Sequence, residues 1–285
     1  MPSAFLSDRA LLSITGKDAE DFLHNLITTD VAGLPEVEAR PGALLTPQGK
    51  ILFDFVIWRI EGGFAIEIDH AQREAFARRL TMYKLRAMVD IAMIDTVGVT
   101  VAWGGETLEG GIIDSAFAKA GISLQRAPGQ QTDGKQADGN EAAYQALRIS
   151  AGLAVSGRDF PLQDAFPHDV LLDKDDGLSF RKGCYVGQEV VSRMQHRGTA
   201  RRRVVIVSAE QDLPAAGTDI LAGAKPVGML GSTSGGQGLA IVRIDRVGDA
   251  LASGVPLTAA DIAVSLTLPE WTGLSFPTGA EEAET

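Results

Sequence analysis

Soft metal ligands are scarce in this chain. It has one cysteine, Cys184, among 285 residues, so no disulfide can form within it. A structural zinc site or a self-contained iron–sulfur cluster needs about four soft ligands. The histidines form no short-spaced pair; they are His24, His70, His168 and His196. We therefore predict no metal site built from this chain alone.

Positive charge and long apolar runs are also scarce. The 26 Lys and Arg residues face 37 Asp and Glu residues, which gives a net charge of −11. Nucleic acids and membrane surfaces are anionic, so we expect neither as a partner. No stretch approaches the roughly 18 apolar residues of a membrane span, and residues 1–16 lack the pattern of a secretory signal. The sequence predicts a cytoplasmic protein.

Strand and helix patterns alternate in the first third of the chain, which predicts an α+β fold. Residues 51–60 are the strongest predicted strand, and residues 70–83 have helical spacing. Residues 123–140 have little to bury and predict an exposed excursion. From Arg203 onward, short apolar runs separated by glycines predict a small β-barrel or β-sandwich. We expect two α+β units, at 1–95 and 96–200, and a barrel at 201–285.

The segment around the single thiol carries most of the chemical information. Val190, Val191 and Met194 share one face, which predicts a helix from Gly187 to about His196. Cys184 then lies just before the helix, where free backbone N–H groups carry partial positive charge.

The same segment is strongly basic, because residues 181–203 contain seven Lys or Arg and one acid, Glu189. Both features favour a thiolate and hence a reactive cysteine. The alternatives are an inert cysteine packed in a core, and a basic cluster that is only solvated or binds anions.

Residues 182–189 read K-G-C-Y-V-G-Q-E, with an arginine after three further residues. This closely resembles the signature of the YgfZ family, folate-binding proteins related to mitochondrial iron–sulfur assembly factors and to the glycine cleavage T-protein. The matching residues are Lys182, Gly183, Cys184, Tyr185, Gly187, Gln188, Glu189 and Arg193. Residues 14–23 and 147–152 resemble two further elements of the family, so the resemblance covers about residues 5–270.

The resemblance implies a three-part ring of two α+β units and a C-terminal barrel. Its central channel would hold tetrahydrofolate or a one-carbon derivative and would be faced by the Cys184 segment. Predicted folate contacts are Tyr144, Arg148 and Lys182, since an aromatic ring can stack on a pterin and a guanidinium can meet a carboxylate. Ordinary helix packing for Tyr144 and a surface charge for Arg148 are equal alternatives.

Three functions follow as hypotheses. The first is a folate-binding accessory factor in making or repairing iron–sulfur proteins, with Cys184 as the working thiol and with assembly proteins or client enzymes as partners. The second is an aminomethyl- or methyltransferase of the T-protein type. Against it, the two adjacent acids of T-proteins correspond here to Phe53 and Asp54, and an apolar ring cannot accept a proton.

The third hypothesis is a cysteine hydrolase or thiol-transfer enzyme, which would need a histidine close to the thiol. His196 lies twelve residues after Cys184, about 18 Å along a helix and too far for a hydrogen bond through that helix.

Overall fold

The computed structural model describes residues 2–129 and 141–277, and these divide into two compact units. The first unit comprises residues 1–144 and 172–190, and the second comprises residues 145–171 and 191–285. Both contain helices and strands, so the predicted α+β class is confirmed. The predicted three-part division stays a prediction.

A nine-stranded mixed sheet forms the body of the first unit, in the order β1-β7-β9-β8-β3-β4-β5-β2-β6. Its strands are β1 (Ser3–Leu6), β2 (Arg9–Thr15), β3 (Glu38–Leu45), β4 (Ile51–Ile60), β5 (Gly63–Asp69), β6 (Asp90–Met93), β7 (Val99–Trp103), β8 (Ile112–Asp114) and β9 (Leu124–Pro128). All pairs are antiparallel except β3 with β8. Strand β4 has the bounds predicted from the sequence, because its alternating pattern places one face in the core.

Three helices belong wholly to the first unit: α1 (Ala19–His24), α2 (Arg73–Lys84) and α3 (Ser115–Lys119). A short 3₁₀ turn, His70–Gln72, precedes α2. Phe76 and Leu80 of α2 are buried in the apolar core of the sheet, where the Phe76 ring lies 5.3 Å from that of Phe53 and 5.5 Å from that of Phe55.

The predicted excursion at 123–140 is wrong in its first part, since Leu124–Pro128 is β9 and pairs with β7 and β8. The reason is a buried ion-pair network around Arg126. Its guanidinium donates to both carboxylate oxygens of Glu67, at 2.9 and 3.0 Å, and to Asp114. Burial alone would raise the pKa of Glu67, but the charges of Arg126 and Arg9 hold this pKa below its ordinary value. Residues 130–140 lie outside the described part of the chain.

Helix α5 (Gln188–His196) matches the helix predicted from the sequence, and α4 (Glu141–Ala151) carries Tyr144 and Arg148. The boundary between the two units falls within each of them.

A seven-stranded antiparallel sheet forms the body of the second unit, in the order β15-β14-β11-β12-β13-β10-β16. Its elements are β10 (Arg202–Ser208), β11 (Asp219–Ala222), β12 (Lys225–Ser234), β13 (Gln237–Arg243), α6 (Ile244–Ala252), β14 (Leu257–Ala259), β15 (Ile262–Ala263), β16 (Ser265–Thr267) and a 3₁₀ turn, Glu270–Thr272. Ser234 pairs with Gln237 across a two-glycine turn, so the glycine-rich stretch 232–238 is a hairpin. Helix α6, which buries Val247 beside this sheet, has no counterpart among the predicted elements.

Arg126→Met should lower the free energy of unfolding by about 3–5 kcal/mol, because it removes the cation that pairs with buried Glu67 and Asp114. The matched control is Arg78→Met in α2. Arg78 pairs with Glu74 at 3.5 Å with both side chains exposed, so its loss should cost less than about 1 kcal/mol. Urea unfolding of the two variants measures the difference. Equal destabilisation would show that the buried network does not stabilise the sheet.

Candidate site around Cys184

The Cys184 segment alternates between buried and exposed residues. Lys182 and Tyr185 are buried, whereas Gly183 and Cys184 between them are exposed. The thiol is therefore presented to solvent by two neighbours whose side chains point into the first unit. The alternative of an inert cysteine packed in a core does not apply.

Lys182 is anchored on main-chain carbonyls. Its ammonium donates hydrogen bonds to the carbonyl oxygens of Ile27 at 2.8 Å and Thr29 at 2.6 Å, in the connection between α1 and β3. Burial lowers the pKa of Lys182 to about 8, against a smaller opposing effect from Asp30. No ion pair of Lys182 is found among the described residues. This lysine therefore fixes the loop.

Tyr185 forms the second anchor. Its ring lies beneath the Lys182 ammonium, with 5.5 Å between the nitrogen and the ring centroid, within the range of a cation–π contact. Its hydroxyl is buried and has no hydrogen-bond partner among the described residues. Burial raises the pKa of the Tyr185 hydroxyl above its ordinary value, so this group stays protonated.

The residues before Lys182 are tied to the same connection. The Thr28 hydroxyl donates to the Gly177 carbonyl at 2.7 Å, and the Ser179 N–H donates to the Thr28 carbonyl at 3.0 Å. Asp175 is buried nearby and accepts a hydrogen bond from the Gly177 N–H at 2.9 Å. Burial and the neighbouring carboxylates raise the pKa of Asp175 well above its ordinary value. Sequence reasoning missed Thr28 and Asp175, although the three aspartates within residues 173–176 were a visible signal just before the signature.

The two signature glycines have different roles. Gly187 has φ +80°, and a Cβ there would lie 2.6 Å from the Thr46 carbonyl oxygen. The turn that ends the Cys184 loop therefore packs against the β3–β4 turn with no room for a side chain. At Gly183, by contrast, a Cβ would meet no atom within 4 Å. Packing within the described chain does not explain that glycine.

Helix α5 begins at Gln188, whose N–H donates to the Tyr185 carbonyl at 3.2 Å. Cys184 thus lies four positions before the helix, as predicted. Glu189 and Arg193 are exposed on this helix. The functional roles of the signature residues stay predictions.

Tyr144 is buried in the first unit and has its own partners. Its hydroxyl accepts a hydrogen bond from Arg126 at 3.0 Å, and its ring lies 5.9 Å from the ring of Phe117. These contacts account for its position by ordinary packing. A folate contact at Tyr144 stays a prediction.

Arg148 lies in the second unit, where it is almost fully buried. Its guanidinium donates to Asp159 and the Leu153 carbonyl, both at 2.6 Å, and to the Ser232 hydroxyl at 2.7 Å. Asp159 also accepts a hydrogen bond from the Ser232 N–H at 2.9 Å. Arg148 thus joins the end of α4 to strand β12, and its predicted contact with folate stays a prediction.

The basic stretch 181–203 is only partly available to an external anion. Lys182 is buried and donates to main-chain carbonyls. Arg203 is also buried and donates to the His168 carbonyl. Arg202 forms an ion pair with Asp164 at 2.9 Å. Arg181 and Arg197 remain exposed. The local positive charge is therefore smaller than the count of basic residues indicates.

Phe53, which replaces the first of the two T-protein acids, belongs to the apolar core of the first unit. A carboxylate at this position would be buried among apolar side chains at high cost. This placement counts against the transferase hypothesis.

Among the described residues, no group of three or more His, Cys, Asp and Glu side chains could hold a metal ion. In the same part of the chain, no helix is both long and apolar enough to span a membrane.

The chain is similar in sequence to one protein family and to several named proteins. Residues 201–274 match the family described as CAF17, C-terminal beta-barrel domain, which confirms the predicted barrel. The chain is 29% identical to the mouse iron-sulfur cluster assembly factor IBA57, mitochondrial, over 97% of this chain and 86% of the mouse protein. The human protein of the same name is 28% identical over 93% of this chain and 84% of its own length. The predicted resemblance is confirmed.

The chain covers 55% of a third relative, the 29% identical IBA57 homolog of Pyricularia oryzae. In fold, the chain resembles the glycine cleavage system aminomethyltransferase T from Bartonella henselae. The TM-score is 0.70, with 17% sequence identity, over 94% of this chain and 85% of that structure. The expected relation to T-protein therefore holds for the fold.

The relatives also correct one prediction. The mouse, human and Pyricularia proteins are all named as mitochondrial. The cytoplasmic location predicted from the sequence is therefore wrong, because it was based only on features that the sequence lacks.

Lys182→Met should alter the pH dependence of stability. The pKa of Lys182 is about 8 in the folded chain and 10.5 as its ordinary value. Between these values the unfolded chain binds a proton that the folded chain has lost, so the free energy of unfolding gains a contribution that rises with pH. Lys182→Met should lack this rise in urea unfolding between pH 8 and 10.5.

The control is Lys119→Met, which removes a half-exposed lysine that pairs with Asp176 at 2.9 Å and should retain the rise. Parallel stability curves for the wild type and Lys182→Met would contradict the assigned burial of this ammonium.

Proposed function

We propose that this chain acts in the assembly or repair of iron–sulfur proteins, with the Cys184 thiol as the group that meets the cluster or the client protein. The observation that carries the proposal is the exposure of Cys184 between two buried anchors, Lys182 and Tyr185. The similarity to proteins named as iron–sulfur cluster assembly factors supports it.

The chemistry of a single thiol sets the form of this role. A thiolate is a soft ligand suited to iron–sulfur clusters, and it binds after its proton has passed to solvent or to a base. A cluster needs about four such ligands, whereas this chain has one cysteine. The other ligands must come from a partner, so contact with the cluster is transient or shared.

The fold contributes to this role by holding the Cys184 loop rigid. Lys182 and Tyr185 hold the main chain on either side of the thiol, and Gly187 closes the loop against the β3–β4 turn. A preorganised thiol loses less conformational entropy when a partner docks than a flexible one does. The open space at Gly183 leaves room for close approach of that partner.

We further propose that the chain binds a reduced folate, on the strength of the signature resemblance and the T-protein-like fold. Its predicted contacts remain Tyr144, Arg148 and Lys182, each of which is buried and bonded to another group of its own unit. No chemical step is assigned to the folate.

Cys184→Ser should fail to restore iron–sulfur enzyme activity in cells that lack this protein. A hydroxyl is close to a thiol in size but is a poor soft-metal ligand and a weak nucleophile at neutral pH. Because Cys184 is exposed, the variant should unfold at the same urea concentration as the wild type. Full rescue by Cys184→Ser would rule out the working thiol.

Calorimetry with tetrahydrofolate tests the second part of the proposal. The wild type and Cys184→Ser should bind it with equal affinity, because the serine variant leaves the predicted contacts Tyr144, Arg148 and Lys182 in place. A lack of saturable binding by the wild type would remove folate from the proposal without affecting the thiol.

A further inference from the structure

Exposed apolar side chains concentrate in one short stretch of the first unit. Nine large apolar residues of the described chain are well exposed, and five of them lie between residues 82 and 97. Three of these surround the end of α2: Met82 is 68% exposed, Leu85 is 89% exposed and Met88 is 59% exposed. We call these three residues the Met82–Met88 surface.

A groove of about 420 Å³ adjoins this surface. Its walls include Phe22 and Leu26 from the region of α1, Tyr83 from α2 and Val186 from the Cys184 loop. Val186 is two residues from Cys184, so the groove connects the apolar surface to the segment that presents the thiol. Exposed apolar surface next to a groove is typical of protein interaction sites.

The loop that carries the surface is held in place. The Asp18 carboxylate accepts a hydrogen bond from the Met88 N–H at 2.7 Å. Gly16 approaches so closely that a Cβ there would lie 2.4 Å from the Met88 carbonyl oxygen. Leu85 itself has φ +44° and ψ −104°, a strained conformation for a residue with a side chain. The Leu85 side chain is therefore exposed to solvent although its backbone conformation is strained.

The charges of the neighbouring residues indicate which kind of partner binds the Met82–Met88 surface. Residues 73–86 contain five Lys or Arg and one acid, in a chain of net charge −11. Lys84 and Arg86 flank Leu85 directly, and neither has an ion-pair partner among the described residues. An occupant with an apolar side chain in the groove and carboxylates over Lys84 and Arg86 would satisfy both features. Its carboxylates would lie away from Asp18 and Asp21, which belong to the groove wall.

Two other occupants fit less well. In a symmetric dimer the same basic surface would face itself, which places like charges together. An anionic membrane presents a wide charged face, and the acidic chain as a whole would be repelled by it.

We propose that the Met82–Met88 surface and its groove are the docking site for a partner protein that presents an apolar side chain flanked by carboxylates. The proposal rests on the proposed function, because this partner is the protein that brings or receives the cluster at Cys184.

The test is the rescue of iron–sulfur enzyme activity in cells that lack this protein. Leu85→Glu and Met88→Glu should each reduce rescue roughly tenfold or more, as expected for central interface residues. Leu251→Glu is the matched control, since Leu251 is half-exposed on α6 in the second unit. All three purified variants should retain the wild-type alkylation rate at Cys184, which shows that the loop is intact.

Leu85→Gly separates docking from folding. Glycine adopts a positive φ without strain, so this variant should melt above the wild type, by roughly 2–4 °C. It should nevertheless lose rescue, because it removes the apolar side chain. Loss of rescue together with a lower melting temperature would point to a structural role for Leu85 and overturn the proposal.

Other outcomes would overturn the proposal in distinguishable ways. Wild-type rescue by Leu85→Glu and Met88→Glu, with failure of Cys184→Ser, would remove the docking surface and leave the proposed function. Failure of the wild type to rescue would remove both. Leu85-dependent sedimentation with phosphatidylglycerol vesicles would identify a lipid surface instead, and a Leu85-dependent dimer in sedimentation velocity would identify a second copy.

Discussion

The ammonium of Lys182 is held by two main-chain carbonyls, those of Ile27 and Thr29. The exposure of the thiol on an anchored loop depends on this contact. It draws the side chains of Lys182 and Tyr185 into the first unit, and the residues between them are left outside. Burial lowers the pKa of Lys182 to about 8, because removal from water disfavours the charged form of the side chain.

The two ends of the loop are secured by different means. Before the thiol, hydrogen bonds from Thr28 and Ser179 join the chain to the α1–β3 connection. After the thiol, Gly187 packs on the β3–β4 turn, where even a methyl group would clash. Polar contacts thus fix one side and close packing fixes the other. Cys184 gains a fixed position although its thiol has no hydrogen bond within the described ranges, 2–129 and 141–277.

The local pattern of apolar residues was sufficient to predict some of the helices and strands but not all of them. Strand β4 and helix α5 were predictable because their apolar periodicity is strong over nine or ten residues. Strand β9 was not, because Arg126 is buried only by virtue of Glu67 and Asp114 elsewhere in the chain. The same limit applies to Lys182 and Tyr144. The signature identified the segment as important, but the partners that bury these side chains are distant in sequence and leave no local trace.

The distance along the chain between Lys182 and its anchors has a consequence for synthesis. Ile27 and Thr29 precede Lys182 by 155 and 153 residues, so the loop cannot be shaped until almost two thirds of the polypeptide has been made. Contacts of such long range form slowly. Until they form, Cys184 is an ordinary flexible thiol on a nascent chain, open to oxidants and stray metal ions. Folding therefore fixes the position of this thiol and leaves it exposed.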